Sequence, residues 1–205
     1  MNQQKPTLIF DYGAVLLEWE PRLLFRKMFA GDEAAMEQFM LEIDFNEWNR
    51  ELDRGLPYAQ GVIERSVRFP QYADYIKAFD ERWEETINGP IQPVVDLLYR
   101  LKEKGYELHG LSNWSPEKFK LMRTKYAFFD LFESMVISGD VNLIKPDPRI
   151  YALLLEQIKR QPKECIFIDD SLPNIFSAKA LDFQTIHYQS PKQLNDELAS
   201  KGIYI

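Results

Sequence analysis

Cysteine is nearly absent from this chain. Cys165 stands alone among 205 residues, which excludes an internal disulfide framework. It lies in an apolar run, where a thiol behaves as a small inert hydrophobe rather than a nucleophile. Histidine is almost as scarce. His109 and His187 each fall inside a strand-like stretch, without metal-ligand spacing, and read as structural. No apolar stretch approaches the ~18 residues of a membrane span. The opening Met1–Lys5 segment is polar and leads into no secretory h-region. A soluble cytoplasmic protein is the expectation. Positive charge is also short: 25 Lys and Arg stand against 32 Asp and Glu, a net charge of −7. That balance argues against a general nucleic-acid or acidic-membrane binder. Repeats and low-complexity tracts are missing as well.

What the chain does hold is apolar residue in quantity. Hydrophobic residues make up 45%, enough for a packed core in one sizeable domain, or in a core with a smaller companion. From Ile91 onward, strand and helix patterns alternate. Val94, Leu97, Leu98 and Leu101 keep helical spacing, opened by Pro93 and closed by Gly105. A strand over 106–111 follows. Ser115-Pro116-Glu117 then supplies an N-cap, a first-turn proline and a dipole-favoured acid. Further strands are expected at 135–138, 165–168 and 185–188. Helices are expected after Asp147-Pro148, around Ile175 and after Ser190-Pro191. This order implies an α/β fold, a parallel sheet covered by helices on both faces. Between Leu17 and Pro90 no strand is expected. Met36, Phe39, Met40 and Ile43 keep helical spacing, as do Tyr72, Tyr75, Ile76, Phe79 and Trp83, so this stretch reads as a helical insert with its own aromatic core.

Two remote acidic sites carry the chemistry. Thr7-Leu8-Ile9-Phe10 delivers Asp11, and Cys165-Ile166-Phe167-Ile168 delivers Asp169 and Asp170. Short apolar runs that stop at polar residues read as buried parallel strands, and ligands bind beyond the carboxyl ends of such strands. Three carboxylates in one crevice need a cation or protons between them. A Mg²⁺ site for phosphate chemistry is the simplest reading. Asp11 is the candidate nucleophile. Ser112 and Asn113 can hold phosphoryl oxygens. Lys145 can neutralise developing charge and keep Asp11 ionised, and Asp170 can help hold the metal.

The order of these motifs resembles the haloacid dehalogenase-like hydrolase superfamily over essentially the whole chain. Asp11 occupies the first motif, Ser112 the second, Lys145 the third and Asp169-Asp170 the fourth. Ile144-Lys145-Pro146-Asp147-Pro148-Arg149-Ile150-Tyr151 looks like the small bacterial branch of sugar-phosphate phosphatases of the glucose-1-phosphate type. The resemblance implies a Rossmann-like core over 1–17 and 91–205, with an inserted α-helical cap domain over 18–90. It implies an aspartyl-phosphate on Asp11, and Mg²⁺ held by Asp11, the Gly13 carbonyl and Asp170, with Asp169 behind them. Ser112, Asn113 and Lys145 would bind phosphate. The partner would be a small phosphorylated metabolite, with no nucleic acid or membrane partner and a monomer or homodimer as the assembly.

One position departs from the pattern. Family phosphatases usually carry a second Asp two residues after the nucleophile, which protonates the leaving group and then activates water. Here that residue is Gly13. Glu18, Glu47 and Glu51 are candidate substitutes. In the cap, Trp48 is expected to stack on a sugar, with Asn49 and Arg50 hydrogen-bonding to it, while Trp19 and Trp114 either wall the pocket or pack. Two other readings stay open: a metal-free 2-haloacid dehalogenase, which Leu111-Ser112-Asn113 also resembles, and a binding or regulatory module that kept the fold without the acid.

Overall fold

The computed structural model describes residues 5–205; most of the polar opening, on which the expectation of no leader rests, lies outside the described residues. Seven strands appear among them: β1 (Thr7–Phe10), β2 (Leu17–Trp19), β3 (Ile87–Pro90), β4 (Leu108–Ser112), β5 (Ser134–Ile137), β6 (Cys165–Asp169) and β7 (Gln184–His187). Five form one sheet in the order β5-β4-β1-β6-β7, and every pairing in it is parallel. Leu8 of β1 lies level with Leu108 of β4 on one side and Ile166 of β6 on the other. The carboxyl ends of these three strands therefore meet where the strand order reverses, the place where open α/β sheets bind ligands.

The strands are apolar throughout because both faces are covered. Side chains alternate between them. Leu8, Phe10, Ile166 and Ile168 join one buried cluster, with Val94, Phe119 and Leu194 from helices. Ile9, Cys165 and Phe167 join the other, with Ile150, Tyr151 and Ile175. The expected helix starts hold in detail. Ser115, Asp147 and Ser190 accept hydrogen bonds from the backbone N–H groups of Lys118, Arg149 and Gln193, each ahead of a first-turn proline. Tyr12 turns back over β4, and only glycine at Gly110 permits this, since an added Cβ would lie 1.7 Å from the Tyr12 hydroxyl.

The segment between Leu17 and Pro90 is helical, with one correction. Short strands β2 and β3 pair antiparallel at its two ends. At three and four residues they are too brief to show a period, so tertiary pairing rather than local pattern makes them. Between them Phe25, Phe39, Phe45, Trp48 and Phe79 pack edge-on and tilted against one another. The Phe45–Asp53 helix ends at Gly55, whose φ of +111° brings it against the Gly139–Asn142 turn; a Cβ there would sit 2.8 Å from the Gly139 carbonyl. No helix among the described residues is long and apolar enough to cross a membrane.

Candidate active site

The ends of β1, β4 and β6 place Asp11, Ser112 and Asp169 side by side, and the loop before the Pro148–Ile158 helix brings in Lys145. The Lys145 ammonium is fully buried and uses all three donors: Asp169 Oδ2 at 2.6 Å, the Leu111 carbonyl at 2.8 Å and Asp11 Oδ1 at 3.0 Å. Asp11 Oδ1 also accepts from Ser112 Oγ at 2.7 Å and from the Tyr12 backbone N–H at 2.7 Å. Asp169 is saturated. Its Oδ1 accepts from the Ser171 N–H at 2.8 Å and Asn174 Nδ2 at 3.0 Å, and its Oδ2 from Lys145 and Asn174. A buried carboxylate holding four hydrogen bonds from three donors is a fixed part of the scaffold, which suits the supporting role expected for Asp169.

Asp170 is different. It is exposed, and only its backbone carbonyl is held, by His187 Nε2 at 2.9 Å. Asp11, Asp169 and Asp170 each offer a carboxylate oxygen within 4.8 Å of the others. Burial pushes the Asp11 carboxyl up to about 7, with Asp169 and Asp170 adding to the rise and Lys145 and Ser112 opposing it. Burial and Asp169 also raise Asp170. Burial disfavours the Lys145 ammonium, but Asp11 and Asp169 outweigh it and hold the amine above its ordinary value. Oxygen donors that repel one another around one point fit a hard divalent cation, which would reverse the penalty on the anions.

A family model for haloacid dehalogenase-like hydrolases matches residues 8–182. The chain belongs to that family. Along most of its length it is 26% identical to the sesquiterpene phosphatase astK of Aspergillus oryzae, covering 94% of this chain and 91% of that protein. It is 24% identical to a phosphorylated carbohydrates phosphatase of Thermotoga maritima, over 92% and 87% of the two chains. Among solved structures it is similar to the HAD family enzyme bt-2542 of Bacteroides thetaiotaomicron in complex with magnesium and inorganic phosphate. That match has a TM-score of 0.71 and 25% identity, over 91% of this chain and 96% of that one. Other relatives are longer proteins, and the chain spans only 18% and 28% of two of them.

In this haloacid dehalogenase-like chain the site opens into a cavity of about 430 Å³. Its core side is formed by Asp11, Asn113, Lys145 and Asp170, and its insert side by Asn46, Asn49, Arg50 and Asp53. The spacing of 46, 49, 50 and 53 is one face of the Phe45–Asp53 helix. Asn49 and Arg50, two of the cap residues the sequence singles out, both line the cavity. Trp48 does not: it is 1% exposed, on the opposite face among Phe45, Phe79 and Arg65, so it cannot stack on a ligand. Trp114 packs on Tyr12 and Trp83, and neither it nor Trp19 lines the cavity. Asn113 lines it, yet its amide braces the Lys145 backbone, donating to the carbonyl at 3.1 Å and accepting from the N–H at 2.8 Å.

Three acids expected as substitutes for the missing Asp lie elsewhere. Glu18 accepts from Asn88, Glu51 pairs with Arg65 at 3.0 Å, and Glu47 is exposed outside the cavity. The sequence reading passed over Asp53 and Asn46, although the buried positions Phe45, Trp48 and Leu52 already define the opposite face of their helix. It also missed Asn174, a polar residue buried in an apolar helix five positions after Asp169. Cys165 is buried, its thiol pushed up to about 12 by burial, and His109 is buried with its pKa lowered by burial. A second cavity of about 480 Å³ beside Thr7, Ile166 and Gln184, at the opposite ends of the strands, holds none of the acid cluster.

Proposed function

We propose that the protein is a Mg²⁺-dependent phosphatase of a small phosphorylated metabolite, a sugar phosphate among the candidates, working through an aspartyl-phosphate on Asp11. The observation that carries this reading is Lys145. Its buried ammonium bridges Asp11 and Asp169, on the same Asp11 oxygen that Ser112 contacts, beside the open carboxylate of Asp170. Such an arrangement costs stability unless it serves a charge that arrives with the ligand.

In this reading Asp11 attacks phosphorus in line. Lys145 and Ser112 fix the attacking carboxylate and stabilise charge on the phosphoryl oxygens. Asn113 offers its backbone N–H, since its side chain is committed to the Lys145 loop. Asp11, the Gly13 carbonyl and Asp170 would hold Mg²⁺, which supplies charge neutralisation at the phosphoryl oxygens. Asp169 keeps Lys145 in place. The named activities of the two phosphatase relatives and the magnesium and phosphate in the solved structure support the assignment. We assign residues 18–90 as a cap domain over a core of 1–17 and 91–205, acting as a monomer or homodimer in the cytoplasm.

A metal-free dehalogenase would have no use for adjacent acids at β6, and a pure binding module would have no use for a nucleophile held by three donors. The test is phosphate release from p-nitrophenyl phosphate and a sugar-phosphate panel, with Mg²⁺ and with EDTA. Turnover should need the metal and fall by at least about 10⁴-fold in Asp11→Asn, as loss of a nucleophile does. Chloride release from 2-chloropropionate, or no turnover on any phosphate, would refute the assignment.

A further inference from the structure

We propose that Asp53, on the Phe45–Asp53 helix of the insert, is the proton donor and acceptor that the Gly13 position lacks. The inference rests on the phosphatase reading and adds a residue to it. Asp53 lines the same cavity as Asp11, Lys145 and Asp170, and is the only carboxylate the insert contributes there among the described residues. An in-line displacement expels the leaving oxygen on the side of phosphorus away from the nucleophile. The strand ends bear Asp11, so the departing oxygen moves towards the wall formed by the insert helix.

Asp53 is also held in place. Asn49 Nδ2 donates to its Oδ2 at 2.9 Å. The Ser138 hydroxyl donates to its backbone carbonyl, which ties the end of the helix to the turn after β5. Gly55, two residues on, fits against that turn only because it lacks a Cβ. The groups facing the carboxyl are few: Asp11 and Lys145 from the core, the Ser115 N–H, and Tyr58 from the following helix, with Arg50 and Asp170 on the same cavity. Burial, with Asp11 adding, holds its pKa well above the ordinary carboxylate range.

The balance is simple. In the first step Asp11 forms an O–P bond, the bond from phosphorus to the substrate oxygen breaks, and that oxygen takes the proton of the Asp53 carboxylic acid. In the second, water forms a bond to phosphorus and gives a proton to the Asp53 carboxylate. The Asp11–phosphorus bond then breaks and phosphate leaves.

Asp53→Asn keeps the shape and removes the proton. With an alkyl or sugar phosphate, kcat should fall about 10²–10⁴-fold, the usual worth of general acid–base help. With p-nitrophenyl phosphate the leaving group needs no proton. The first step should survive while the second slows, giving a pre-steady-state burst of about one equivalent of p-nitrophenolate per enzyme. Adding Gly13→Asp should restore at least about tenfold of the lost activity, since a Cβ at Gly13 meets nothing within 4 Å. Equal losses on both substrates without a burst, or no loss at all, would overturn the role of Asp53. If Asp53→Asn fails to fold, Asp53→Glu decides instead: its loss on an alkyl phosphate should exceed its loss on p-nitrophenyl phosphate by at least about tenfold, and any smaller difference overturns the proposal. A wild type that releases phosphate from neither substrate overturns the phosphatase reading and this inference with it. A wild type silenced by Asp11→Asn but indifferent to Asp53→Asn overturns this inference alone.

Discussion

The two walls of the cavity are built on different physical terms. On the core side each polar group except the open Asp170 carboxylate is over-determined. Lys145 spends three donors on three acceptors, Asp169 accepts four bonds, and Asn113 clamps the Lys145 backbone from both sides. On the insert side Asn46 and Arg50 are exposed, and Asn49 and Asp53 bond chiefly to each other. In the proposed function the core wall serves one charge pattern, the phosphoryl group, and the insert wall has side chains left over for whatever the phosphate is attached to. That assignment would separate chemistry and choice of substrate onto different elements, letting one vary without the other.

The largest way to break that contrast is Lys145→Met. Removing the ammonium leaves Asp11 and Asp169 buried without their cation, and breaking such a pair costs about 3–5 kcal/mol. In a chain of this size each 1 kcal/mol shifts Tm by about 2–4 °C, so thermal unfolding should move down by at least about 6 °C, with phosphatase activity lost alongside. A Tm within about 2 °C of wild type would show that the core wall is less rigidly charged than its geometry indicates.

The intermediate case separates the walls by pH. Asp11 has its folded-state pKa raised from 3.8 to about 7. The folded protein therefore holds a proton there that the unfolded chain has lost, across the window from about 4 to about 7. In EDTA this group makes stability fall as pH rises through that window. A metal that needs the ionised carboxylate reverses the trend, so Mg²⁺ should raise Tm more at pH 8 than at pH 5. Asp11→Asn should flatten both effects, whereas Arg50→Ala should leave them unchanged. Differential scanning fluorimetry reads each, and a Mg²⁺ shift equal at both pH values would sink the argument.

The same contrast explains what could be read from the residue order. Asp11, Ser112 and Asp169 were legible because a buried strand advertises itself as an apolar run, and the polar residue that stops it is conspicuous; Lys145, on a loop, stood out as the cation that the motif order asks for. Proline after Ser115, Asp147 and Ser190 made the helix starts equally plain. On the insert the signal is helical phase, and Trp48 beside Asn49 shows the difficulty. Adjacent residues on a helix point about 100° apart, so one is entombed among aromatics while its neighbour lines the cavity. Phe45, Trp48 and Leu52 fix the buried face, and with it Asn46, Asn49, Arg50 and Asp53 opposite, but only once the helix ends are known. Strands β2 and β3 carried no local mark. Asn174 acts through a partner across a turn, which spacing alone does not reveal.

Arg50→Ala is the mildest test and speaks directly to the insert wall. The guanidinium lines the cavity, is exposed, and forms no ion pair among the described residues. Its loss removes no packing, so Tm should stay within the small range of surface substitutions, about 0.5 kcal/mol in stability. If Arg50 contacts the group that carries the phosphate in the bound substrate and in the transition state alike, KM rises and kcat holds, the pattern of uniform binding. One exposed hydrogen-bonding contact to a charged group is worth about 1–2 kcal/mol, or roughly 5–30-fold in KM. The effect should disappear with p-nitrophenyl phosphate, which offers no hydroxyls to that wall. A fall in kcat with KM unchanged would instead place Arg50 among the groups acting on phosphorus, and the division between a wall for chemistry and a wall for recognition would fail at that residue.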